Sequence, residues 1–387
     1  MPTLIAESIM GPNAAVQLAL PTGVDGASVL QFQLRSGQTA AQMIARLAAA
    51  IGIVNQDVAE TFAGMYSMTD APYANYVAGT GSRTKTPKKA EYNRGRSVRG
   101  DEAGGMLPLD FFEEALEWTE QWLRDARQMQ IDSDTNLIVE NWRARVLDDF
   151  LTRIFSNAEN QITSTGYDVP WAISSGVSVP YIPPQNKAGN DEFTAAHTHF
   201  HFADSQVTST AVKAMLKLLV GELRHHSHSG RLSALVSDAD VDAYVGMGKE
   251  FVELQPPQFQ VVAGNSNAPV NITSGEVQGI PGELFGYYKG PKGVVELRYH
   301  DRIPSGYQFL TKPYGSNDIR NGLAVRTHPD YGFGLRLDPK GNGSLVNPKL
   351  EFIVVEGGHG IGINNRTNGA CGFIASGATQ YVSPSFN

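Results

Sequence analysis

VTSTAVKAMLKLLVGELRHHSHSGRLSALVSDADVDAYVGM, residues 207–247, holds a helix, a strand and a second helix in one run. From Thr208 to Arg224, Val212, Met215, Leu216, Leu219, Val220 and Leu223 recur three and four residues apart. That spacing lines them up on one face of a helix. Gly230 closes the next turn, and Leu232–Val236 reads as a buried strand. Ala239–Val245 follows as a short helix. A one-sided helix beside a buried strand needs layers of both kinds, so the fold class predicted is α+β.

Downstream of residue 250 the chain reads mainly as strand and turn. Strands are predicted at Val294–His300, Tyr307–Thr311, Gly332–Leu337, Leu350–Val355 and Gly372–Ala375. Upstream, Ala41, Ile44, Ala45, Leu47, Ala48 and Ile51 predict a helix over Thr39–Ile51, with Gly52 as its stop. A stripe of Phe112, Ala115, Leu116, Thr119, Leu123, Ala126 and Met129 predicts another, opened by Asp110 and Glu113 in a capping-box-like start. A longer helix is predicted from about Thr135 to Ser156, capped by Ser133 or Asp134 and buried on more than one side through Val139, Trp142, Val146, Leu147, Phe150, Leu151 and Ile154. Residues 1–35 read as an extended arm, with a short strand at Ser28–Leu34. Residues 160–205 read as strands and loops.

The stretch YSMTDAPYANYVAGTGSRTKTPKKAEYNRGRSVRG, residues 66–100, has few large aliphatics. It cannot bury a core of its own, so it predicts a long loop or a two-stranded finger resting on something else. Arg83, Lys85, Lys88, Lys89, Arg94, Arg96 and Arg99 face a single acid, Glu91. The segment after it inverts the sign with Asp110, Glu113, Glu114, Glu117 and Glu120. The two runs complement each other, within one subunit or between two.

Across 387 residues the net charge is −8, with 41% hydrophobic and 18% charged residues. This describes a globular chain of two or three structural regions with no overall pull toward nucleic acid. Cys371 is the only cysteine, which excludes an intrachain disulfide and a Cys-based zinc site. The N-terminal MPTLIAESIMGPNAAV lacks the basic and apolar regions of a signal peptide, and no apolar run reaches bilayer length. Neither export nor a membrane is expected.

In order, the parts are arm, short helix, basic finger, long helices, a mixed region and a strand-rich return. This order resembles the Hong Kong 97-like capsid fold of tailed-bacteriophage major capsid proteins, which encapsulin shells share. Residues 207–247 resemble the A-domain unit of that family. GVVELRYHDRIPSGYQFLTKP, residues 293–313, is similar to the strand, Pro-Gly turn and strand that follow it. VEGGHGIGINNRTNGACGFIAS, residues 355–376, is similar to the closing strand pair.

The resemblance implies a division into N-terminal arm and short helix (1–60), E-loop finger (61–107), P-domain helices with the spine helix (108–160), A-domain (161–325) and return strands (326–387). It implies a non-enzymatic subunit that builds pentamers and hexamers of an icosahedral shell around phage double-stranded DNA, without reading its sequence. It further implies localisation in the virion after assembly in the host cytoplasm, with scaffolding, portal and decoration proteins as possible partners and no resident cofactor. The basic finger would cross to a neighbour, so each subunit would donate base and accept acid in a heterologous contact. Some members weld a loop lysine to a neighbour's asparagine. Lys85, Lys88 and Lys89 are the positions to consider, but no acceptor or catalytic glutamate is evident and no cross-link is expected. An encapsulin-like shell around protein cargo is the alternative within the same resemblance.

A third reading comes from the histidines. His197, His199 and His201 alternate, so a strand would place them on one face, at a spacing that suits a metal. His225, His226 and His228 form a second group. Asp204 or Glu192 could add a carboxylate to a metalloenzyme site. The plainer expectation is solvent-facing imidazoles in the first group and cations meeting a helix C-terminus in the second. An intermediate possibility is a pH- or metal-responsive contact between subunits. GGHGIG, residues 357–362, lacks the spacing, lysine and following helix of a phosphate loop, and tight turns are expected there.

Overall fold

The computed structural model describes residues 40–78, 101–119, 122, 125–164, 166–178, 197–253, 279–337 and 350–386. The arm over 1–35 with its strand at Ser28–Leu34, and the basic run from Arg83 to Arg99, lie outside these residues. The described part is mixed helix and sheet.

One sheet is organised by a single long strand. In chain order the first elements are α1 (Ala40–Phe62), β1 (Tyr66–Thr69), β2 (Tyr73–Ala78), β3 (Asp101–Met106), β4 (Asp110–Thr119) and α2 (Gln128–Phe155). β5 (Asn160–Gln161) and β6 (Tyr167–Asp168) form a small pair of their own. β15 (Leu350–Ile363) pairs antiparallel with β4, from Leu350↔Thr119 to His359↔Asp110. It also pairs with β13 (Leu323–Arg326) and β14 (Leu335–Leu337), and β1 lies parallel to β13. Among the described residues β2 and β3 pair only with each other, Tyr73↔Met106 to Ala78↔Asp101, and they bracket the basic run in sequence.

Among the described residues the second sheet has seven strands. Their order is β7 (Phe200–Asp204), β16 (Gly369–Ala375), β12 (Tyr307–Thr311), β8 (Leu232–Ser237), β11 (Gly293–His300), β10 (Glu283–Gly290) and β9 (Phe251–Glu253). Every residue of β8 is buried, as a strand between two neighbours and beneath a helix should be. The covering helix is α3 (Ser209–His225), whose N-cap Thr208 hydroxyl accepts from the Ala211 amide. Its buried face is Val212, Met215, Leu216, Leu219, Val220 and Leu223, the six residues picked out by the periodicity. After β8 a short turn of helix, Asp238–Asp240, leads into α4 (Val241–Val245).

α2 joins the two sheets. Phe150 is fully buried and stacks on Phe62 of α1 with ring centroids 4.0 Å apart and planes 4° from parallel. Phe155, at the other end, meets Tyr307 and Phe309 of the second sheet edge-on. The last turn leaves the Ile154 carbonyl without a helical partner. It accepts from the Trp171 indole at 2.8 Å and from the Cys371 thiol at 3.2 Å.

Several sequence expectations need correcting. The acidic segment is not a helix: Asp110, Glu113, Glu114 and Glu117 lie on strand β4. Ten residues of pairing with β15 override its helical spacing, a tertiary effect that local propensity does not contain. α2 begins at Gln128, so Ser133 and Asp134 are inside it rather than capping it. Gln130 instead accepts the Arg127 amide at 2.9 Å. α1 runs through Gly52 to Phe62 because Val54, Val58 and Phe62 add three more buried positions on the same face. That burial exceeds the cost of about 1 kcal/mol for an interior glycine. GGHGIG is no set of turns: it lies inside β15. The strand predicted at Gly332–Leu337 is confined to β14.

Between α2 and β6, Arg153 and Asp168 form an ion pair at 3.1 Å with both side chains almost wholly buried. Burial outweighs the guanidinium and the Asn160 hydrogen bond, and pushes the Asp168 carboxyl up from 3.8 to about 6. Two outcomes follow for urea unfolding of the full chain. Arg153→Leu strands a buried carboxylate and should cost about 3–5 kcal/mol at neutral pH. Because the folded-state value is raised, this group's stabilisation is complete below about pH 4 and is lost as pH rises through about 6. Asp168→Asn should remove a fall of about 3 kcal/mol over that window.

Candidate functional site

β4 alternates along its length. Phe112, Glu114 and Leu116 turn inward to varying depth, while Phe111, Glu113, Ala115 and Glu117 are exposed. The acids are therefore split between two faces. Glu114 accepts from the Asn141 amide of α2 at 2.7 Å, whereas Glu113 and Glu117 point outward. Phe111 is 58% exposed and meets Tyr331 edge-on at 5.8 Å. Arg336 lies over the Tyr331 ring and pairs with Glu356, the residue opposite Glu113. The result is an acidic, partly aromatic surface on a strand whose second edge is unpaired among the described residues. Charged side chains on such an edge discourage indiscriminate strand pairing. Of the predicted contact residues, Glu113 and Glu117 share this outward face, while Asp110 and Glu114 alternate onto the other face of β4. Glu120 and the seven basic residues lie outside the described residues.

The histidines form a second, more enclosed arrangement. His197 and His199 precede β7, the edge strand of the seven-stranded sheet. Glu222 and His226 sit at the C-terminal end of α3. The His226 Nε2 atom lies 2.9 Å from both His197 Nε2 and His199 Nε2. Glu222 Oε2 is 3.7 Å from His197 Nε2, and Glu222 Oε1 is 3.7 Å from His201 Nε2. One donor atom from each of His197, His199, Glu222 and His226 lies within 4.8 Å of all the others. His199 is fully buried and its Nδ1 donates to the Gly369 carbonyl at 2.7 Å.

The expectation of solvent-facing imidazoles in the first group is therefore wrong for His199, which is buried, and in the second group His226 and His228 are buried as well. Nor does a helix dipole explain His226 and His228, whose burial disfavours the charged form. Burial, reinforced by the neighbouring imidazoles, drives His226 far below its ordinary range and His199 down to about 3. His201 falls to about 4 for the same reasons, and burial also lowers His197. Burial raises the Glu222 carboxyl against the pull of Lys292. The imidazoles are thus neutral at ordinary pH, which leaves nitrogen lone pairs to bind an electrophile.

The two carboxylates considered from the sequence do not both appear. Asp204 accepts from the Gly377 amide at 2.6 Å, outside the cluster, and Glu192 lies outside the described residues. Glu222 carried a sequence signal: it stands four residues before His226 at the end of a clearly periodic helix, so the two share a face. Among the described residues no helix is long and apolar enough to cross a membrane.

No family model and no curated protein sequence matches this chain. Solved structures do. A chain of a structure titled "Mycobacterium phage Patience" superposes with a TM-score of 0.63 at 18% identity, covering 92% of this chain and 94% of that one. The capsid of Ralstonia phage GP4 aligns at 0.47 and 10%, over 80% and 84% of the two chains. The capsid of cyanophage P-SCSP1u aligns at 0.46 and 8%, over 80% and 86%. The chain has the fold of the Mycobacterium phage Patience chain over nearly the whole length of both.

Proposed function

We propose that this chain is the major capsid protein of a tailed bacteriophage, the repeating subunit of the icosahedral shell that encloses double-stranded DNA. The observation that carries the reading is the near end-to-end fold likeness to a phage chain of similar length. The order of elements that resembles the Hong Kong 97-like fold supports it. Pentamers and hexamers would be the building units, with scaffolding, portal and decoration proteins as companions and the virion as final location.

The physics of the parts agrees. Among the described residues β2 and β3 pair with no other strand, and a lone two-stranded ribbon is marginal in water. It gains support by lying on a neighbour. The basic run from Arg83 to Arg99 would then meet the acidic surface of β4 on the next subunit, with Glu113 and Glu117 as acceptors. Single exposed ion pairs contribute about 0.2–1 kcal/mol, so the pairs set register and orientation through repetition around each ring rather than through strength. A net charge of −8 suits a wall that holds DNA without gripping it.

Two experiments test this reading. The chain expressed with its neighbouring reading frames, viewed by negative-stain electron microscopy, should give closed uniform shells or five- and six-membered rings. A stable monomer under every condition would overturn the proposal, and shells filled with a protein cargo would turn it toward an encapsulin. Glu113→Lys with Glu117→Lys should abolish assembly, and so should Arg94→Glu with Arg96→Glu. Mixing the two double variants should restore alternating contacts and recover six-membered rings, which an even number of subunits can close, by negative-stain microscopy. Normal particles from either double variant alone would remove this interface.

A further inference from the structure

We infer that His197, His199, Glu222 and His226 form a site for one zinc-class divalent cation, which staples the leading end of the edge strand β7 to the C-terminal end of α3. The inference is independent of the shell reading and departs from the expectation of a chain without a resident cofactor.

The argument starts from proton counting. A carbonyl oxygen only accepts, so the contact of His199 Nδ1 with Gly369 places the ring proton on Nδ1. His199 Nε2 is then a bare lone pair aimed at His226 Nε2, 2.9 Å away. His197 Nε2 stands at the same distance from that same atom. A neutral His226 has at most one proton on Nε2 and can direct it at only one of the two. A cation between the three nitrogens satisfies all of them at once. At the usual metal–nitrogen distance of about 2.0–2.1 Å, nitrogens 2.9 Å apart subtend about 90°. Opening these two nitrogen pairs to tetrahedral spacing needs a spread of about 0.4 Å in each.

The surroundings fit. The Gly369 carbonyl orients His199 as outer-shell acceptors orient metal-bound imidazoles. Glu222 supplies a fourth donor and a negative charge. His228 is excluded from the set because both its ring nitrogens are engaged, Nδ1 with Tyr314 and Nε2 with Thr367. A cleft lined by Glu222, His225 and Lys292 gives a path from solvent. Three imidazoles and one carboxylate suit zinc rather than magnesium or calcium, and a closed set of four favours a structural role over hydrolysis.

The test uses the full-length chain, purified without a histidine tag and stripped with chelator. Cobalt(II) should bind at one equivalent per chain with tetrahedral ligand-field absorption, and zinc should displace it. His197→Gln and Glu222→Gln should each weaken zinc binding by at least about tenfold, because even outer-shell losses cost that much. His225→Gln, an exposed neighbour outside the set, should bind as the parent does. A folded parent chain with neither cobalt absorption nor retained zinc would overturn the site, whatever the variants do. Equal loss in His225→Gln and His197→Gln would also overturn it.

Discussion

The structure depends on how closely other chain segments approach β15. A side chain at Gly360 would place its Cβ 1.8 Å from the Pro108 carbonyl oxygen, and one at Gly357 would meet the Trp142 ring at 2.7 Å. No rotamer change relieves a clash with backbone. These glycines let β4 and α2 press onto one strand from different directions, which allows fourteen residues to serve β4, β13 and β14 together. His359, alternating with the glycines, fills the gap that they leave. Its ring packs against Phe112 and Trp142, and its Nε2 reaches Asp149 at 3.0 Å.

What was legible in the sequence follows from this. The unit at 207–247 reads correctly because its signal is local: a helix stripe, a short apolar run, a turn. Tyr307–Thr311 reads correctly for the same reason, as a short run bounded by Gly306 and Pro313. The acidic segment misleads because Phe112, Leu116 and Thr119 satisfy a helical spacing by coincidence, and its strand partner lies more than two hundred residues downstream. Gly-rich β15 misleads in the opposite sense. Glycine ordinarily marks turns, and only contacts distant in sequence reveal that it is there to admit neighbours.

The candidate sites divide in the same way. The histidines were visible as a group, but their burial was not. Whether an imidazole faces solvent or another imidazole depends on how β7 sits beside β16 and beneath α3, and no periodicity encodes that. The charge inversion between residues 83–99 and 110–120 was visible as composition, whereas the split of the acids across two faces required knowing that the segment is extended. The fold read from the order of parts was sturdier than any single element, because the order survives when one helix turns out to be a strand.

The lone cysteine has a practical meaning. Cys371 is fully buried, hydrogen-bonded to the Ile154 carbonyl, and burial drives its thiol well above the ordinary range. Thiolate is the reactive form, so this sulfur is close to silent toward alkylating agents and oxidants. To surface chemistry the protein behaves as if it had no cysteine at all. A single thiol introduced at any exposed position would be one addressable handle per copy, free of competition from within. In an ordered assembly, dyes, crosslinkers or displayed peptides attached there would inherit the symmetry of the lattice that carries them.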